Sequence, residues 1–248
     1  MFKFFLVSFV VAFLLGVQTV LAETRFVHDI APPEGFDRAI SQDRSFHQYL
    51  INLPLKPENV VKLWNGDKLA QGTYDQLAVL DVPLMFEKDL EQCADFSMRL
   101  WADYLKEIDE LERLKLFDFN GNSRPFSNSN KSYRDYLWWH MKHSNSYSIK
   151  KGALRVRSID LVKPGDMFVQ NDSNGGIGHV SMVLDQATNA FGTNVYLIGY
   201  SFMPAQEFHI ERASQHHGLD GWFTAQGYHD YVSRAFSSFG LPIIMRYE

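Results

Sequence analysis

Two neighbouring runs, Lys163-Pro164-Gly165-Asp166-Met167-Phe168-Val169 and Gly178-His179-Val180-Ser181-Met182-Val183-Leu184, decide how this chain is read. Pro and Gly inside the first run predict a turn that feeds a strand. The second run is apolar, rich in β-branched residues and too short for a helix. It follows the Gly-rich stretch Asn171 to Gly178, so a second strand is expected to open at His179. Asn194 to Ser201 supplies a third strand after the turn-rich residues 185–193, and Phe208 to Ile210 and Leu241 to Arg246 are shorter candidates.

Upstream the pattern is helical. From Leu90 to Leu114, Leu90, Cys93, Ser97, Leu100, Trp101, Tyr104, Ile108, Leu111 and Leu114 recur at the three and four residue spacing of one helix face. Asp89 followed by Gln92 resembles a capping box, which places Cys93 in the first turn. A second helix is expected from Tyr133 to His143. Ser45 to Leu53 reads as a short amphipathic helix or strand ended by Pro54 and Pro57, Val60 to Trp64 as a hairpin arm before Asn65-Gly66-Asp67, and Leu77 to Val82 as a strand. Helices first and strands later indicate an α+β fold.

The 248 residues are 46% hydrophobic and 15% aromatic, a composition that supports a packed core and excludes a disordered chain. Net charge is −5, so the basic surface that nucleic acid requires is not expected. Gly175-Gly176 leads into a strand and lacks a following helix and Lys, which argues against a phosphate-binding loop. His140 and His143 have a helical spacing, but no nearby carboxylate or cysteine completes a metal site, so neither metal nor cofactor is expected. Residues 1–22 have the charged start, apolar run and small-residue end of a secretory signal, with cleavage after Ala22. The expectation is therefore an exported protein with a single α+β domain over 23–248 and no transmembrane segment in the mature chain.

Export gives the lone cysteine its interest. Cys93 has no internal disulfide partner, so it is a small buried hydrophobe, half of an intermolecular bridge or a reactive thiol. A helix N-terminus favours thiolate and offers N–H groups to an oxyanion. His179, at the mouth of its strand, is the expected base. Pairing Asp185 with about Val195 sets Ser201 opposite it as the orienting group, with Gln206 as the alternative. Gln92 and Asp95, beside the thiol, and Trp222 are expected to contact substrate, while Asp95 and Arg99 are spaced as a helix pair.

The Pro-Gly-Asp turn, the Gly178-His179 strand and Cys93-Ala94-Asp95-Phe96 upstream resemble the papain-like cell-wall hydrolases of the NlpC/P60 and CHAP type. That resemblance implies a Cys-bearing helix packed on an antiparallel sheet, with Cys93 attacking an amide and His179 moving the proton. A longer similarity is to an uncharacterised secreted bacterial family, domain of unknown function 4846. It rests on Gly35-Phe36-Asp37-Arg38, Gln92-Cys93-Ala94-Asp95 with Arg99, Gly178-His179 and, above all, Ser201-Phe202-Met203-Pro204-Ala205-Gln206 with His209. Tyr200 stands where that family is expected to carry Gln. The implied function is an exported cysteine hydrolase acting on an amide bond, with cell-wall peptide or glycan as partner. The alternatives are a catalytically silent envelope domain that binds glycan or protein, and a thiol acyltransferase.

Overall fold

The structure, a computed structural model, describes residues 24–172 and 175–248; the expected export signal at 1–22 lies outside the described residues. In chain order the strands are β1 Arg25–Phe26, β2 Phe36–Arg38, β3 Pro54–Leu55, β4 Gln76–Val79, β5 Lys115–Phe117, β6 Ser123–Pro125, β7 Leu154–Val156, β8 Asp166–Gln170, β9 His179–Asn189, β10 Asn194–Tyr200, β11 His209–Glu211, β12 Gly218–Leu219, β13 Trp222–Phe223 and β14 Ile243–Arg246. The helices are α1 Phe46–Ile51, α2 Cys93–Glu107, α3 Tyr133–His143, α4 Ser146–Gly152 and α5 Ala225–Ala235.

An antiparallel sheet in the order β12-β13-β10-β9-β8-β14-β7 forms the centre, with β11 and β4 extending it beyond β10 and β2 pairing with β9. Two short ribbons, β1-β3 and β5-β6, lie outside it. The expected turn at Lys163 to Asp166 is present, with Gly165 at φ +91°, a conformation closed to most side chains. Among the described residues no helix is long and apolar enough to cross a membrane.

Both faces of this sheet are covered, so its strands are apolar on both sides. Met167 and Val169 of β8, Val180, Met182 and Leu184 of β9, and Val195 and Leu197 of β10 face a core shared with Phe96, Met98, Leu100 and Leu105 of α2. The alternate residues, Phe168, Val183, Tyr196 and Ile198, face a second core with Tyr228 and Val232 of α5. The period-2 alternation of side chains therefore decides which helix each strand residue meets.

The α2 platform is held from below by charge. Arg99 donates to Glu91 at 2.6 Å, to the Pro83 carbonyl at 2.8 Å and to Asp103 at 3.1 Å, and Glu91 accepts from the Met85 N–H at 2.6 Å. This ties the loop entering α2 to the body of the helix. It also replaces the expected Asp95–Arg99 pair, because Arg99 turns to Glu91 and Asp103 and away from Asp95.

The expected hairpin register is corrected too. Asp185 pairs with Leu197 rather than with Val195, and an irregularity between Leu197 and Ile198 then sets Met182 opposite Gly199. The extra residue slides β10 along β9, so Tyr200 and Phe202, not Ser201, come to lie beside the His179 ring, at 4.9 and 5.4 Å between ring centroids.

Candidate functional site at the start of α2

Gln92 has extended backbone and ends the approach to α2; its N–H donates to the Asp95 carboxylate at 3.0 Å, and its side chain donates to Asp89 at 3.0 Å. Asp89 in turn accepts from the Ala205 N–H at 2.6 Å, which fastens the 201–206 loop to the helix start. The cap thus lies three residues later than the Asp89 position expected from the sequence, and Cys93 is the first helical residue.

A cleft of about 360 Å³ opens at this point. Gln92, Cys93 and Asp95 line it from α2, Asn145 and Ser146 from the start of α4, and Gly176 and Gly178 from the approach to β9. The Cys93 thiol donates to the Gly178 carbonyl at 3.9 Å. Gly178 is glycine because of crowding: a methyl group there would overlap the Gln170 carbonyl oxygen and the Ser146 hydroxyl.

The electrostatics of the cleft favour neutral groups. Burial pushes the Cys93 thiol up to about 12, with the Val180 N–H opposing and the Asp95 carboxyl reinforcing the shift. The Asp95 carboxyl itself is held well above the ordinary carboxylate range by burial, against the Gln92 N–H and with help from Glu91. Its Oδ1 is buried and has no hydrogen-bond partner among the described residues.

The structure does not bring the rest of the expected catalytic set to this cleft. His179 lies between Gly178 and Val180, whose backbones face the thiol, and its side chain leaves the strand on the α5 face. There Nε2 shares a 2.9 Å hydrogen bond with Ser181, and the ring packs on Phe236 at 4.2 Å between centroids. Burial, with His209 nearby, pushes His179 down to about 3. Ser201 donates to the Gln206 carbonyl at 2.7 Å, and the Gln206 amide donates to the Tyr74 hydroxyl at 3.0 Å, so neither orients His179. Trp222 is fully buried and donates to the Ala31 carbonyl at 3.0 Å; it is a core residue and does not line the cleft.

Two groups of residues escaped the sequence reading. Asn145 and Ser146 line the cleft, and the Ser144-Asn145-Ser146 run carried a signal for them, since Asn145 caps α4 through the Tyr147 N–H at 2.9 Å. The second group is His209 with Glu211, paired at 3.1 Å on the α5 face beside Tyr200 and Tyr74. His209 belonged to the family motif, but alternation in a short strand, which sets it and Glu211 on one face, was the only hint of the pair.

Among the described residues no group of three or more His, Cys, Asp or Glu side chains could hold a metal ion. No curated protein and no solved structure matches the chain. A family model does, over residues 26–128 and 118–240. With most of the chain so covered, this protein belongs to the family described as Domain of unknown function (4846).

Proposed function

We propose that this chain is an exported, catalytically silent binding protein whose α2 cleft holds an amide-bearing ligand, such as a cell-wall peptide. One observation carries the reading: the cleft holds the thiol but no imidazole, since His179 projects from the other face of β9. A thiol nucleophile needs a base within hydrogen-bond reach, directly or through one water. Burial raises the thiol well above its ordinary value, so it is held as the neutral thiol near pH 7.

The remaining lining suits a peptide group. The Asp95 carboxyl, whose burial favours the neutral form, and the amides of Gln92 and Asn145 offer hydrogen-bonding groups to a peptide unit. Soluble peptidoglycan stem peptides are the probe. Saturable binding without cleavage, weakened in Asp95→Ala and retained in His179→Ala, supports the reading. Cleavage lost in both Cys93→Ala and His179→Ala overturns it.

The papain-like hydrolase and acyltransferase readings keep one observation in their favour. Cys93 is the first residue of a helix packed on an antiparallel sheet, with the Val180 N–H directed at its sulfur. Rapid alkylation of Cys93 by iodoacetamide near pH 7, slowed in His179→Ala, is the result those readings require.

A further inference from the structure

On the far side of α3 a second cleft, of about 460 Å³, is built from Trp139 and His140 of the helix, Arg124 of β6, and Asn128, Ser129 and Lys131 of the following loop. Its floor contains an imidazole with unused capacity. His140 is 1% exposed, its Nδ1 meets the Ser144 hydroxyl at 3.3 Å, and its buried Nε2 has no partner among the described residues. Burial pushes this ring down to about 4, which keeps the imidazole neutral. A buried polar atom left without a partner costs stability, which a ligand hydroxyl would restore.

The walls specify the ligand further. Trp139 is half-buried and braced by the His143 ring, which stacks on it at 4.8 Å and 19°. A braced indole at a cleft is a stacking platform for the apolar face of a ring. The Asn128 amide and Ser129 hydroxyl add hydrogen-bonding groups beside it. Arg124 is 56% exposed although Asp118 holds two of its nitrogens, at 2.9 and 2.7 Å, and Lys131 is exposed. No carboxylate lines the cleft itself; Asp118 behind it neutralises Arg124, so among the described residues Lys131 is the unpaired charge the cleft presents to a ligand.

We propose that this cleft binds an anionic saccharide, with a sugar ring stacked on Trp139, a hydroxyl on His140 Nε2, and a carboxylate facing Lys131 and Arg124. The site is separate from the α2 cleft and does not depend on what that cleft binds. Trigalacturonate is the probe, read on the full chain by saturation-transfer NMR at low salt, with neutral maltotriose and sodium acetate as comparators. Saturable binding of trigalacturonate, about tenfold tighter than maltotriose and weakened by salt, is expected. Trp139→Ala should abolish it, and Lys131→Gln should weaken it several-fold, with Cys93 alkylation unchanged in both. Absence of saturation, equal affinity for maltotriose, or displacement by acetate at the same concentration overturns the proposal. Should Trp139→Ala fail to fold, Lys131→Gln, at an exposed position, decides alone, and undiminished binding by that variant rules the site out.

Discussion

The two faces of the central sheet hold polar groups in different ways. On the α2 face, Cys93 and Asp95 border a cleft open to solvent, and Asp95 keeps an oxygen without a partner among the described residues. On the α5 face, His179, Ser181, Tyr200, His209 and Glu211 are enclosed by Tyr74, Phe202 and Phe236; His179 is bonded to Ser181 and His209 to Glu211, and the Nδ1 atoms of both rings, like Asp95 Oδ1, have no partner among the described residues. The first arrangement can meet a ligand; the second fills a core. Cys93, at the start of α2, meets the chain at Gly178 and Val180, while His179 between them turns its ring to the opposite face of β9.

The largest effect that would break this contrast comes from the base of the α2 platform. Arg99→Met leaves buried Glu91 without its partner and should cost about 3–5 kcal/mol in urea unfolding. It should also loosen the loop before α2 and expose Cys93 to alkylation. Unchanged stability would mean that the Glu91–Arg99 pair does not organise this face.

His179→Ala should cost about 2–4 kcal/mol through the cavity it leaves among Phe202, Tyr200 and Phe236. The same variant should leave the alkylation rate of Cys93 within twofold. A slower rate would place the ring within reach of the thiol and dissolve the separation of the faces.

Acid provides a graded test. His179 is lowered to about 3 by burial, below the unfolded value near 6.5. Below the unfolded value the denatured chain binds the extra proton first, so stability is complete above pH 6.5 and falls toward pH 3. The slope from this residue is about 1.4 kcal/mol per pH unit, and His179→Gln should flatten the unfolding profile in that window. On the α2 face the sign is opposite. Asp95 is raised, so the folded state binds its proton more tightly and this group favours folding at low pH. Asp95→Asn should therefore hold or raise stability at pH 7 to 8, by about 1 kcal/mol or less, as read by thermal unfolding.

Much of the framework was legible in the sequence because local chemistry determined it. The 133–143 helix, the turn before β8 and the start of β9 at His179 all follow from caps, turn residues and periodicity. What stayed hidden was which face each β9 residue meets. With apolar residues on both faces, the alternation gives no inside and outside to distinguish. The irregularity at Leu197 and Ile198 then moved Tyr200 into the place expected for Ser201. Helix α5, with Gln226, His229, Asp230 and Ser233 set against Tyr228 and Val232, carries an amphipathic stripe at least as clear as that of the 133–143 helix, but the sequence reading gave no helix there, so the second face had no visible cover.

Gly178 carries a consequence for how such a protein can change over generations. It occupies the strand position that looks toward Cys93, yet the Gln170 carbonyl and Ser146 hydroxyl leave no room for a side chain there. Point substitution at that position is therefore a closed route to setting an imidazole beside the sulfur. Loss or gain of a single residue ahead of β9 is open, because a one-step slip exchanges the two faces of the strand at once.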